Sequence, residues 1–164
     1  MGFFQPDGRG RRLFRRDALT AEAPVIVVHS LAHAVAALKA AAEAARSVTL
    51  LSAPDAGISA GPGWFGALVA AARAAVPAAQ STSLLDCGED AGAAQAAIRT
   101  RIEGVIFTGR ADVAERLADI AGQTGVRLLT ARPVPALDLE AQFFAAPEIL
   151  RRLCADILAS LPPV

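Results

Sequence analysis

The chain has no tyrosine, one methionine, one tryptophan, two cysteines and a single lysine among its 164 residues, and no net charge. Two cysteines, Cys87 and Cys154, are too few for the disulfide framework that holds small secreted domains together, so a reducing compartment fits the sequence best. Lys+Arg and Asp+Glu both count 16, which leaves no overall field to attract nucleic acid or an anionic membrane. Long hydrophobic runs are missing as well. Although the mean hydropathy is +0.41, the most apolar stretch, Pro24 to Leu38, is interrupted by His29, Ser30 and His33 and stops at Lys39, short of what a bilayer span needs. The paired arginines Arg11-Arg12 and Arg15-Arg16 are followed by Asp17, Glu22 and Pro24 instead of an unbroken apolar segment, so they do not read as an export signal. The expected location is the cytoplasm.

Hydrophobic residues make up 54% of the chain and charged ones 20%, a balance that excludes a disordered polymer. The length suits one domain with a continuous core. Residues 1–23 carry little apolar periodicity and the cluster Arg9, Arg11, Arg12, Arg15 and Arg16, which reads as a basic arm ahead of a single domain over 24–164.

From Pro24 onward, short β-branched or leucine-rich runs alternate with longer helical stretches, the pattern of βα units feeding a parallel sheet. Five runs read as strands: Val25 to Val28, Val48 to Leu51, Thr82 to Leu85, Val105 to Phe107 and Val126 to Leu129. Apart from Thr49, Thr82, Ser83 and Arg127 the runs are apolar and do not alternate, as strands covered on both faces should read. Between them, Leu31, Val35 and Leu38, then Leu68, Val69 and Ala72, then Val113, Leu117 and Ile120 recur at helical spacing. The intervening stretch Ala91 to Ile102 is an alanine-rich helix. Pro133 and Pro135 break regular structure over 133–146. A last helix starts at Pro147, and its stripe of Ile149, Leu150, Leu153, Ile157 and Leu161 either covers the sheet or forms a homodimer contact. The expected architecture is an α/β three-layer αβα sandwich with a five-stranded mostly parallel sheet. Its order is 2-1-3-4-5, flavodoxin-like, with the Rossmann-like 3-2-1-4-5 as the alternative.

In such sheets ligands bind beyond the carboxyl ends of the strands, where strand order reverses. The order 2-1-3-4-5 would bring His29, at the end of the first strand, to Asp86 and Cys87 at the end of the third. That set could serve as a cysteine nucleophile with a histidine base oriented by a carboxylate. His29 and His33, four residues apart, could instead share a metal with one of them, although no metal-binding motif accompanies the pair. Ordinary hydrogen bonding, with Ser30 capping the first helix, is the plain alternative.

Gly61-Pro62-Gly63-Trp64-Phe65-Gly66 satisfies GxGxxG ahead of a helix, with Asp86 about twenty residues on. In these residues the segment resembles a dinucleotide-binding Rossmann unit over some forty positions, a resemblance that implies phosphate held at the helix N-terminus. A flexible connection opened by Pro62 is the other reading, and the long stretch Ala53 to Gly63 reads as a lid over the strand ends. Thr108, Gly109 and Arg110 open the next helix and suit an anion, although Thr108 and Asp112 could equally be caps. The run Glu103 to Arg110 with its helix is similar to a phosphate-binding βα unit of a (β/α)8 barrel, while 164 residues are too few for a whole barrel.

Function is therefore not legible beyond three readings. The first is a domain binding a small anionic or phosphorylated ligand through Ser30, Asp55, Gly61, Gly63, Thr108, Gly109 and Arg110. The second is a small enzyme using His29, Asp86 and Cys87, and the third a non-catalytic homo-oligomeric module. No cofactor is named by the sequence, and neither nucleic acid nor membrane is an expected partner.

Overall fold

The computed structural model describes residues 23–162, so the basic arm lies outside the described residues apart from Ala23. The five apolar runs form β1 (Val25–Val28), β2 (Val48–Ser52), β3 (Ser81–Asp86), β4 (Gly104–Ile106) and β5 (Arg127–Leu129), and a sixth strand, β6 (Leu137–Asp138), follows. They make one sheet, parallel at every pairing, in the order β5-β4-β3-β2-β1-β6. The helices are α1 (Leu31–Glu43), α2 (Ala56–Ser59), α3 (Gly61–Ala75), α4 (Ala91–Arg99), α5 (Ala111–Thr124) and α6 (Pro147–Ser160). The molecule is an α/β fold with a parallel sheet flanked by helices. No helix among the described residues is long and apolar enough to cross a membrane.

Neither expected strand order is realised: β2 lies between β1 and β3, which rules out 2-1-3-4-5, and β4 pairs with β3 instead of β1, which rules out 3-2-1-4-5. From β1 to β5 each strand adds beside its predecessor on the same side. Right-handed crossovers then deliver α1, α3, α4 and α5 to the same face of the sheet. That face carries the main core: Ile26, Leu50, Leu85 and Val105 from the strands against Phe65, Ile98, Leu117 and Leu150 from the helices. The opposite face holds a smaller cluster of Val27, Leu51, Leu84 and Ile106, with no helical residue in it among the described residues. Both sets of side chains are buried, which is why the strands read as mostly apolar without alternation.

The chain reverses direction after β5. Residues 130–136 must carry it past four strands to the far side of β1, five spacings or about 24 Å. Eight virtual bonds reach about 28 Å at full extension, so the connection is nearly straight, and Pro133 and Pro135 suit that conformation. It ends with the Ala136 N–H donating to Val25 O at 2.8 Å and the Leu139 N–H donating to Val27 O at 3.2 Å, which sets β6 along β1.

Two helical expectations change. In α1 the buried side is Ala34, Ala37, Leu38 and Ala41 with His33, whereas Leu31 is 46% exposed. Alanines let α6 lie close, and α6 buries Leu150, Cys154 and Leu158. Arg46 closes the far end of α6, donating to Leu158 O (2.7 Å), Leu161 O (3.0 Å) and Pro162 O (2.6 Å). The lid expected over 53–63 is instead the short helix α2 and the first turn of α3, joined by Gly61 at φ 82°.

Candidate functional site

The only reversal of strand order among the described residues lies between β1 and β6, and by the general rule for open α/β sheets this is where a ligand site is sought. Two ionisable side chains meet there. Nε2 of His29, just beyond β1, donates to Asp138 Oδ1 at 2.7 Å, and the Glu140 N–H donates to the same oxygen at 2.9 Å. A carboxylate can only accept, so the His29 proton on Nε2 is fixed and Nδ1 is its basic nitrogen. Burial alone would raise the Asp138 pKa. The hydrogen bonds from His29 and Glu140, with the charge of Arg132, outweigh it and hold the carboxyl below its ordinary range.

His33 lies beneath this pair and is fully buried. Its Nδ1 accepts the His29 N–H at 3.2 Å, its ring meets Phe143 edge-on at 5.7 Å, and its Nε2 has no partner of hydrogen-bonding geometry. Burial pushes its pKa down, and the neighbouring His29 adds to that, against opposition from the Gln142 main chain and Asp138.

A second knot ties the crossing connection to the strand ends. Arg132 donates to Asp86 Oδ2 at 2.5 Å and to Ser52 O at 2.8 Å. Asp86 Oδ1 also accepts from Gly88 N (2.8 Å) and Asp55 N (3.3 Å), and Ser52 Oγ accepts from Asp86 N at 2.9 Å. Asp86 is therefore a hub that joins β2, β3, α2 and residues 130–136.

The structure does not bring His29, Asp86 and Cys87 together. With β2 between their strands, His29 and Asp86 are about two strand spacings, or roughly 10 Å, apart. Cys87 turns to the helix face, wholly buried, where a Cβ on Gly57 would come within 2.4 Å of its Sγ. Desolvation, followed by Asp86 and Asp90, pushes its thiol up to about 12, so the nucleophilic thiolate is suppressed.

The other named residues are spread along the rim. Ser30 caps α1 by accepting the His33 N–H at 3.2 Å. Asp55 adopts a left-handed φ of 56° at the start of α2. Gly61 and Gly63 lie in the first turn of α3, so the GxGxxG residues form helix instead of a phosphate loop. Thr108 donates its N–H to Gly88 O at 2.8 Å, Gly109 lies against the Phe107 ring, and Arg110 pairs with Asp112 at 2.9 Å in solvent. α5 starts without a side-chain cap, as do α2, α3 and α6, whereas Ser30 caps α1 and Asp90 caps α4. Among the described residues no group of three or more His, Cys, Asp or Glu side chains is placed to hold a metal.

Asp138 was not a candidate in the sequence, because Pro133 and Pro135 had removed its surroundings from regular structure. The signal available was Leu137-Asp138-Leu139, one polar residue between two apolar ones, as on a short half-buried strand.

No family model matches the sequence, and no curated protein matches it. Among solved structures, the chain is similar to one described as a "putative fructose-1,6-biphosphate aldolase" from Coccidioides immitis, with a TM-score of 0.55 and 18% identity. The match covers 65% of this chain and 39% of that one, so the chain spans well under half of that protein, and what the likeness shows is the α/β fold.

Proposed function

We propose that the chain binds a small phosphorylated ligand at the carboxyl rim of its sheet, with the phosphate at Thr108, Gly109 and Arg110. The observation that carries this reading is the uncapped start of α5. The α5 helix opens at the rim with no side chain accepting its first amides, beside a glycine, a hydroxyl and a guanidinium. Free amides at a helix N-terminus favour an anion electrostatically and by hydrogen bonding. The phosphorylated sugar in the neighbouring structure's description accords with this chemistry. Ser30 and Asp55 would be peripheral, since both already serve the chain's own helices.

Titration of the protein with inorganic phosphate and fructose 1,6-bisphosphate, followed by amide chemical shifts, tests the reading. Saturable shifts at Gly109, Ala111 and Asp112, weakened by Arg110→Gln, are the expected result. No shift at millimolar ligand would overturn it.

A second reading, an enzyme, is favoured by the His29–Asp138 pair. An ionised carboxylate that orients an imidazole leaves the other ring nitrogen as a general base. β4 and β1 are three spacings apart, about 14 Å on a flat sheet, so a monosaccharide phosphate held at α5 would not reach His29 without the sheet's curvature. Proton transfer at His29 is therefore a separate claim. An Asp138→Asn variant should lower any turnover found while leaving phosphate-induced shifts at α5 intact.

A further inference from the structure

We propose that the face of the sheet with no helix among the described residues is a separate binding site for a small amphipathic monocarboxylate, its chain on the apolar strand surface and its carboxylate on Arg127. Parallel sheets are ordinarily covered on both faces, and among the described residues the helices take one. Residues 130–136 bridge the other only in part. Between them and the amino-terminal halves of the strands lies a cavity of about 840 Å³, walled by Val25, Leu84, Leu129, Pro133 and Pro135. That volume is in the range of small-molecule sites, which combine apolar walls with a few placed polar groups.

The polar side chains are few: Ser47, Thr49, Thr82 and Arg127. The Thr49 and Thr82 hydroxyls bond each other at 2.9 Å. Arg127 is the only charged residue lining the cavity among the described residues, and none of their carboxylates pairs with it. The nearby Glu103 is already held by Arg73 at 2.7 Å and by Ser83. Gly104 makes room for this arrangement: a Cβ there would meet Leu84 Cδ2 at 2.2 Å and come within 3.6 Å of Arg127 Nη2. A lone guanidinium beside an apolar surface complements one negative charge on a hydrocarbon body. A phosphorylated sugar, polar throughout, would gain nothing from these walls, so the site differs in chemistry from the α5 rim.

Sodium decanoate and decanol are the probes, titrated into the full chain and followed by amide shifts. Decanoate should saturate, with shifts at Val25, Leu84, Gly104 and Leu129. Arg127→Gln should weaken decanoate by about tenfold or more and leave decanol nearly unchanged, and Arg127→Lys should restore most of the decanoate affinity. Absence of saturation, shifts confined to His29 and Thr108, or equal loss of both probes in Arg127→Gln would each overturn the proposal. So would movement of the same amides on simple dilution of the protein, which would mean that a second copy of the chain fills the groove.

Discussion

Cutting the Arg132 to Asp86 contact should detach the crossing connection from the sheet, and the two ways of cutting it should differ in cost. Arg132→Met leaves a carboxylate whose side chain is 6% exposed without its cation, although Gly88 N and Asp55 N still donate to it. Orphaning one member of a buried pair costs about 3–5 kcal/mol, and the two remaining amide donors place this case near about 3. Asp86→Asn keeps an acceptor for Gly88 but turns an amide NH2 toward the guanidinium. Because the Arg132 side chain is 23% exposed and can turn to water, about 2 kcal/mol is the expected loss. At about 2–4 °C per kcal/mol for a chain of this size, Arg132→Met should melt roughly 6–12 °C early.

Urea unfolding of both single variants and the double variant gives the coupling, expected at about 1–3 kcal/mol for groups in direct contact. Hydrogen exchange adds a local readout. The Ala136 and Leu139 amides, which bond to Val25 O and Val27 O, should exchange faster in Arg132→Met, while amides within β2 and β3 should follow global stability. Strictly additive losses with unchanged exchange at Ala136 would refute the reasoning and make Arg132 an ordinary surface cation.

Burial raises the pKa of Glu103, but hydrogen bonds and charge from Arg73, with the Ser83 hydroxyl and amide, overcome it and hold the carboxyl below its ordinary 4.5. The stability it contributes is complete above pH 4.5 and is lost as pH falls through the lower folded value. Wild type should therefore lead Glu103→Gln in urea midpoint at neutral pH and lose that lead in acid. Cys87 should resist iodoacetamide in the native protein and react on unfolding. Gly57→Ala, which drives a methyl toward Cys87 Sγ, should cost about 1–3 kcal/mol by thermal melting. Arg46→Met frees three carbonyls at the end of α6, and accelerated exchange in the last turn of that helix should accompany a loss of about 1–3 kcal/mol.

The strands were legible because their runs are mostly apolar without alternating, and they do not alternate because Val27, Leu51, Leu84 and Ile106 are buried on the face away from the helices. That same pattern hid the strand order. Whether a second helical layer or a crossing segment covers the far face, the residues beneath it are the same valines, leucines and isoleucines. Order is decided by where successive crossovers land, and no local pattern in α1 or α3 records that. The helix stripes were legible only where large side chains do the packing, as at Leu68 and Val69. In α1 alanines pack against α6, and Leu31, the most hydrophobic-looking start of the stripe, faces solvent.

The candidate site was half legible for a related reason. His29 could be singled out because it terminates a strand, and the rule that directs attention to strand ends needs no topology. Its partner could not, since finding Asp138 requires knowing that the chain returns past β1 after β5. Residues 130–139 decide more of this molecule than any helix does. Their taut run brings Arg132 onto Asp86, sets β6 beside β1 so that Asp138 meets His29, and roofs the cavity beneath Pro133 and Pro135. The prolines that read as the end of regular structure are what permit this: a segment that must span about 24 Å with eight virtual bonds cannot fold on itself, and proline favours extended backbone at little entropic cost. A stretch that reads as structureless in sequence can thus be the most constrained part of the fold.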